Sequence, residues 1–237
     1  MKFILDTHTH TLASGHAYST IREMAAAAKE KGLELLSITE HGPKMPGSAT
    51  DFYFANLGAV DRNMYGVELL MGSEVNIMDY EGNVDLKDSL LKNLDIVIAS
   101  MHLPCIAPGT KEENTKAYLN VMKNPYVNII GHPDDSNFLA DFKALVLGAK
   151  EHNVLLELNN SSLDPNNYRR DTKKNDIEML KLCKEYGVPI VIGSDAHTDT
   201  AVGSHDLAME VIKEAEFPIE LVINRSVEEL KKFIKKY

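Results

Sequence analysis

Tryptophan is absent from the chain, and cysteine occurs only twice, at Cys105 and Cys183. The two are far apart and neither has a CxxC partner, which excludes a disulfide scaffold and fits reduced thiols in a cytoplasmic protein. Long apolar runs are also missing. No window approaches the roughly 20 apolar residues of a membrane span, and Phe3, Ile4 and Leu5 before Asp6 are too short a stretch for a signal peptide. Positive charge is scarce: 25 Lys and Arg face 35 Asp and Glu, for a formal charge of -10. That balance opposes a broad phosphate-backbone footprint, so neither nucleic acid nor a membrane is an expected partner. There is no internal repeat, low-complexity tract or Pro/Gly-rich linker. The expectation is one domain over residues 1–237, a size normal for a single α/β barrel.

What the chain does contain is a series of seven short apolar runs: KFILDT, ELLSIT, VELLMGSEV, LDIVIAS, YVNIIGH, VLLELNN and VPIVIGSD. They are nearly continuous in apolar character rather than alternating, as parallel strands covered on both faces are. Helix-start signals stand between them. Thr20 with Glu23 reads as a capping box opening a helix over Ile21 to Lys31, and Asn175, Asp176 and Glu178 give an acidic first turn to the helix before Val188. Strands alternating with helices predict a closed or nearly closed TIM-like (βα) barrel of the α/β class. FPIELVI, from Phe217 to Ile223, is a weaker eighth strand candidate, followed by a capped helix from Ser226.

The chain has nine histidines, and seven of them stand just after these runs. His8 and His10 follow the first, with His16 in the loop beyond; His41 follows the second, His102 the fourth, His132 the fifth and His197 the seventh. Glu74 ends the third run and Asp195 the seventh. In a parallel barrel these C-terminal strand ends share one face, where barrel enzymes carry their active sites. His8 and His10 are at i and i+2, so both rings project from one face of a strand and can grip one ion, and Asp195 with His197 repeats that spacing. Imidazole with carboxylate suits zinc, iron or manganese, and nine ligands exceed the three or four of one catalytic zinc, so two or three ions are implied. Glu74 has two oxygens and can bridge two of them. His152, at a helix end on the opposite face, and His205, at a helix start, fall outside the cluster.

In this order, DTHTH (6–10), His16, ITEHGPKMPG (38–47), GSEVN (72–76), ASMHLP (99–104), IGHPD (130–134), LELNNSS (156–162) and GSDAH (193–197) resemble the PHP (polymerase and histidinol phosphatase) family, and specifically its stand-alone YcdX-like phosphatases. The resemblance covers nearly the whole chain and implies a distorted seven-stranded barrel with a trinuclear metal centre, mainly zinc, with manganese or iron as alternatives. It implies a first ion on His8, His10, Glu74 and Asp195, a second on Glu74, His102 and His132, and a third on His16, His41 and His197. The implied reaction is hydrolysis of a small phosphomonoester by a metal-bridging hydroxide. Asp195, Glu74 and His197 are the expected catalytic residues, with the free oxygen of Asp195 available to hold or accept a proton. Asp6 stands beside the nest, either orienting an imidazole or bonding backbone.

Substrate contacts are expected from Lys44, Asn159, Asn160 and Arg62; Arg169 and Arg170 are further candidates, but they lie in DPNNYRRDTKKND, a polar run that reads more readily as a solvated loop. Met45 and Met64 are candidates for a pocket lining or for gap filling. Histidinol phosphate hydrolysis is the nearest alternative. A phosphodiesterase, an amidohydrolase and a non-catalytic metal-binding module are more distant ones. Amidohydrolases commonly bridge two ions with a modified lysine after strand four, where this chain has SMHLP; polymerase-attached modules often lose ligands, and none is missing here.

Overall fold

The structure, a computed structural model, describes residues 3–234. Its strands are β1 (Leu5–Asp6), β2 (Leu35–His41), β3 (Asn63–Met64), β4 (Val67–Asn76), β5 (Val97–Ser100), β6 (Ile129–Ile130), β7 (Leu155–Asn159) and β8 (Ile190–Gly193). β1, β2, β4, β5, β6, β7 and β8 pair in that order, all parallel, and β3 adds a short antiparallel ribbon to β4. These seven strands are the seven apolar runs. Every residue of β2 is buried, as both-face coverage requires. An inner cluster of Leu5, Leu35, Leu70, Ile98, Ile129, Leu155 and Val191 fills the barrel, and Leu230 and Ile234 close it from beneath.

The helices α1 (Ile21–Glu30), α2 (Asp51–Ala55), α3 (Asp88–Leu91), α4 (Lys111–Met122), α5 (Phe142–His152), α6 (Thr172–Tyr186) and α7 (Asp206–Glu214) pack outside the strands, while α8 (Val227–Lys231) turns Leu230 to the inner cluster. α1 opens with the expected capping box, Thr20 and Glu23 satisfying one another's backbone N–H groups. α6 begins earlier than expected. Its N-cap is Asp171, so Asn175 and Asp176 lie inside the helix and are buried rather than forming a solvated acidic first turn. Among the described residues no helix is long and apolar enough to cross a membrane.

The barrel has one seam, between β1 and β8. Its upper part closes through backbone bonds from Asp195 N to His8 O and from His10 N to Ala196 O. Lower down, Asn224 is wedged between the two strands. Its side chain accepts from Ile192 N at 2.7 Å and donates to Ile192 O at 2.7 Å and Leu5 O at 3.1 Å, while its carbonyl accepts from Ile4 N. The stretch 217–223 is therefore not an eighth strand. It forms 3-10 turns at Ile219–Leu221 and Ile223–Arg225, with a single bridge from Val222 to Ile190, because the seam has room for one residue and not for a ladder.

Candidate metal centre

The upper strand ends bring seven histidines and two carboxylates together. Around the first group, His8 Nε2 lies 3.1 Å from His10 Nε2, and Glu74 Oε2 is 3.4 and 3.5 Å from those two atoms. Asp195 Oδ1 is 3.7 and 3.3 Å from them. Ligands at about 2.1 Å from a tetrahedral zinc are separated by about 3.4 Å, so these four atoms have the spacing of a coordination shell. In the second group the other Glu74 oxygen, Oε1, lies 2.8 Å from His132 Nε2 and 3.2 Å from His102 Nε2. In the third, His16 Nε2 and His41 Nε2 are 3.2 Å apart, and the His16 and His197 rings stack at 4.9 Å. Further sets of donors within ligating range, His41 with Glu74 and His102 and His10 with His41 and His197, link the groups.

A test of fit comes from atoms the protein itself leaves unpaired. Glu74 Oε2, His41 Nδ1 and His102 Nε2 are buried without a hydrogen-bond partner, although His41 Nδ1 is only 2.7 Å from Glu74 Oε2. Buried polar atoms without a partner cost roughly 1–3 kcal/mol each, and divalent cations held by Glu74 and His102 would satisfy theirs. The imidazoles are also fixed in the tautomer that ligation needs. His8 Nδ1–H donates to Glu157 Oε1 at 2.7 Å, His102 Nδ1–H to Asn76 Oδ1 at 2.8 Å and His197 Nδ1–H to the Asp195 carbonyl at 2.9 Å. His10 Nδ1–H donates to Ser14 Oγ, which donates on to Glu40 Oε2. A carboxylate, amide or carbonyl oxygen behind Nδ1 is the usual support of a metal-ligating histidine.

Local backbone serves the same end. His132 and Asp195 hold positive φ angles of 29° and 54°, strained for residues with side chains, and both are candidate ligands. Gly193 has no side chain because a Cβ there would stand 2.0 Å from Glu157 Oε1. Electrostatics follow from burial and this crowding. Burial holds the His10, His16 and His102 rings below their ordinary pKa, with the neighbouring His41 adding to it at His10 and His16. Burial opposes charge on Glu74 and on Asp195, yet the surrounding rings outweigh it, helped at Asp195 by Arg169, and both carboxyls sit well below the usual range. At His8 burial also opposes charge, but Glu157, Glu74 and Asp195 outweigh it and hold that ring well above its ordinary value, so the centre sets one charge-favouring imidazole and three that favour the neutral form against ionised carboxylates.

Residues 6–220 match the PHP domain family. The chain belongs to the PHP domain family. A probable phosphatase of Clostridium novyi is 49% identical over 235 residues, 99% of this chain and 96% of that one. A probable phosphatase of Caldicellulosiruptor saccharolyticus is 48% identical over 231 residues, 98% and 95% of the two chains. Among solved structures, the histidinol phosphate phosphatase of Lactococcus lactis, complexed with zinc, L-histidinol and phosphate, has a TM-score of 0.65 at 21% identity, covering 91% of this chain and 95% of that one. A chain of an archaeal ribonuclease P with mature tRNA has a TM-score of 0.63 at 18% identity, covering 97% and 89%. At those identities the two structures speak to the fold alone.

Within this PHP domain the expected substrate contacts fare differently. Asn159 is at the centre, donating to Glu157 Oε2 at 3.0 Å and Asp195 Oδ2 at 3.3 Å. Asn160 instead accepts from Ala208 N and anchors α7. Lys44 is exposed, its backbone N–H bonded to Asp85. Arg62 is held by Asp95 and by the Leu57 and Val60 carbonyls, beside the start of β4 and remote from the strand ends. Among the described residues Asp6 accepts from backbone N–H groups, those of His8, Ser194 and Gly203. Arg169 reverses its reading. Far from solvated, its side chain is 6% exposed and donates from both terminal nitrogens to Asp195 Oδ2 at 3.2 Å, and also to Ser162 Oγ at 3.0 Å. Arg170 stays exposed. Glu157, Glu40 and Asn76 carry no motif signal beyond a polar residue inside an apolar run.

Proposed function

We propose that this protein is a metal-dependent phosphatase that hydrolyses a small phosphomonoester in the cytoplasm at a site of three divalent ions, zinc foremost. The observation that carries the reading is Glu74, whose two oxygens face two separate sets of imidazoles while one stays without a hydrogen bond. His8, His10, Glu74 and Asp195 would hold the first ion, Glu74, His102 and His132 the second, and His16, His41 and His197 the third. Bound there, the ions supply Lewis-acid attraction for phosphoryl oxygens and a hydroxide nucleophile near neutral pH.

The chain's own residues do the rest. Arg169 places a planar, permanently charged guanidinium beside Asp195 at the wall of a cavity of about 500 Å³, where Nη2, with one proton given to Asp195, has a second to offer a phosphate oxygen. Asp195 presents Oδ1 to His8 and His10 and commits Oδ2 to Arg169 and Asn159. With Oδ2 taken up by Arg169 and Asn159, Asp195 serves as a ligand and as the anchor of Arg169. His197 closes the third group at the cavity wall, with Nδ1 fixed on the Asp195 carbonyl.

A monoester presents three terminal oxygens and nearly two charges to such a site, a diester only two and one. On metal-loaded protein at mildly alkaline pH, kcat/KM for p-nitrophenyl phosphate is expected to exceed that for the bis-ester by at least about a hundredfold, equivalent to roughly 2.7 kcal/mol. Equal rates, or a preference for the bis-ester, would reject the reading.

A further inference from the structure

Beyond the phosphate end, the cavity at the metal centre continues outward between the loops that follow β2, β5 and β7. Its outer walls are Met45, Pro46, Leu103, Pro104 and Tyr168, with Ser161 and Asn167 as neutral polar neighbours. Asn167 is tied into its own loop: the amide donates to the Ser161 carbonyl at 2.8 Å, and Oδ1 accepts from Arg169 N at 3.0 Å. Among the described lining residues the sole carboxylate is Asp195, which is engaged with the histidines and Arg169, and no lysine lines the cavity.

Two of the walls are costly to leave in water. Tyr168 is 61% exposed and Leu103 45% exposed, among the few large apolar side chains on the surface, and they stand at the mouth of this one cavity from two different loops. Exposed apolar groups that converge on a concave site are the ordinary signature of a ligand surface. Tyr168 is also held in place, since the Arg169 guanidinium lies 5.7 Å from its ring centroid.

Resting on the phosphatase reading above, we propose that the leaving group is an uncharged, apolar-bodied alcohol that packs against Tyr168, Leu103 and Met45, and that esters whose alcohol carries an ammonium group are poor substrates. A cationic leaving group would lose its hydration in a space that offers it no free carboxylate and that already holds Arg169. An apolar one would cover Tyr168 and Leu103 and release the water on them. Histidinol phosphate, an amino-alcohol ester, belongs to the disfavoured class.

The test compares 2-phenylethyl phosphate, 2-aminoethyl phosphate and glycerol phosphate on the metal-loaded protein. All three leave as alkoxides, so aryl-leaving-group activation does not enter. The expected result is a kcat/KM for the phenylethyl ester about thirtyfold above that for the aminoethyl ester, within the range a hydrophobic pocket delivers, expressed mainly in KM. Tyr168→Ala and Leu103→Ser should each shrink that ratio several-fold, and Tyr168→Phe, which keeps the ring, should restore it. Equal kcat/KM on all three esters overturns the leaving-group proposal and leaves the phosphatase reading standing. A uniform loss on every ester in Tyr168→Ala, with the ratio intact in Leu103→Ser, also overturns it, because Tyr168 would then act only through Arg169. Hydrolysis of none of the three overturns both.

Discussion

Glu74 stands where two sets of imidazoles meet, and its neutral isostere isolates what its charge contributes. Glu74→Gln keeps the shape but offers one neutral oxygen, so two ions should be weakened together and turnover of p-nitrophenyl phosphate should fall by at least about a thousandfold, or roughly 4 kcal/mol of barrier. Circular dichroism must show the variant folded, and His205→Ala, outside the centre, should keep nearly full activity. Wild-type rates in Glu74→Gln would remove the bridge from the account. Arg169 is the residue whose role depends on its fork. Arg169→Lys preserves the charge but not the two parallel donors, so both Arg169→Lys and Arg169→Ala should lose kcat/KM, the alanine by about a hundredfold and the lysine by less. Inhibition by inorganic phosphate should weaken in parallel. The candidate ligands were legible because all but His16 stand at the end of an apolar run or directly after it. Arg169 was not, because its loop is polar throughout and nothing in its local spacing shows that it folds back onto Asp195, 26 positions on. Arg62 misled for the converse reason: a lone basic residue gives no sign of its partner, here Asp95.

Elements carry a second set of consequences. In α1, Thr20→Ala removes one half of a capping box at an exposed helix start and should cost about 1 kcal/mol in urea unfolding, with activity retained. In α6, Asp176 is buried with neither carboxylate oxygen bonded, and burial first, then Asp134 and Glu157, hold its pKa well above the ordinary value. The folded protein therefore keeps a proton that the unfolded chain releases near pH 4. Stability must fall as pH rises from about 4 through the raised value, since the folded state binds more protons across that window. Asp176→Asn abolishes the effect, so it should stabilise the protein by more than about 1 kcal/mol at pH 8 and by little at pH 4, read from urea midpoints at the two values. An unchanged pH profile would show that Asp176 does not hold a proton that the unfolded chain releases. Strand identity was readable because parallel strands buried on both faces are apolar without interruption. The stretch 217–223 has that composition too. What demotes it is the tertiary closure of β1 on β8, in which Asn224 satisfies the seam with a side chain. The same tertiary origin hides Glu157, a strand residue whose acceptors find His8 on β1's extension and His132 after β6.

At the scale of the whole molecule, a net charge of -10 coexists with an anion-directed site because the charges that matter locally are those of the ions the centre is built to hold. Removing them leaves buried donors unpaired, so chelation should lower the melting temperature by at least about 5 °C, reversibly on zinc addition. The most direct test of the central claim is a zinc titration of chelator-stripped protein, with bound metal and p-nitrophenyl phosphate turnover measured at each point. Uptake approaching three ions per chain is expected, with hydrolysis rising as the sites fill. Uptake that ends at one ion or fewer, or phosphatase activity undiminished in the stripped protein, would contradict that claim.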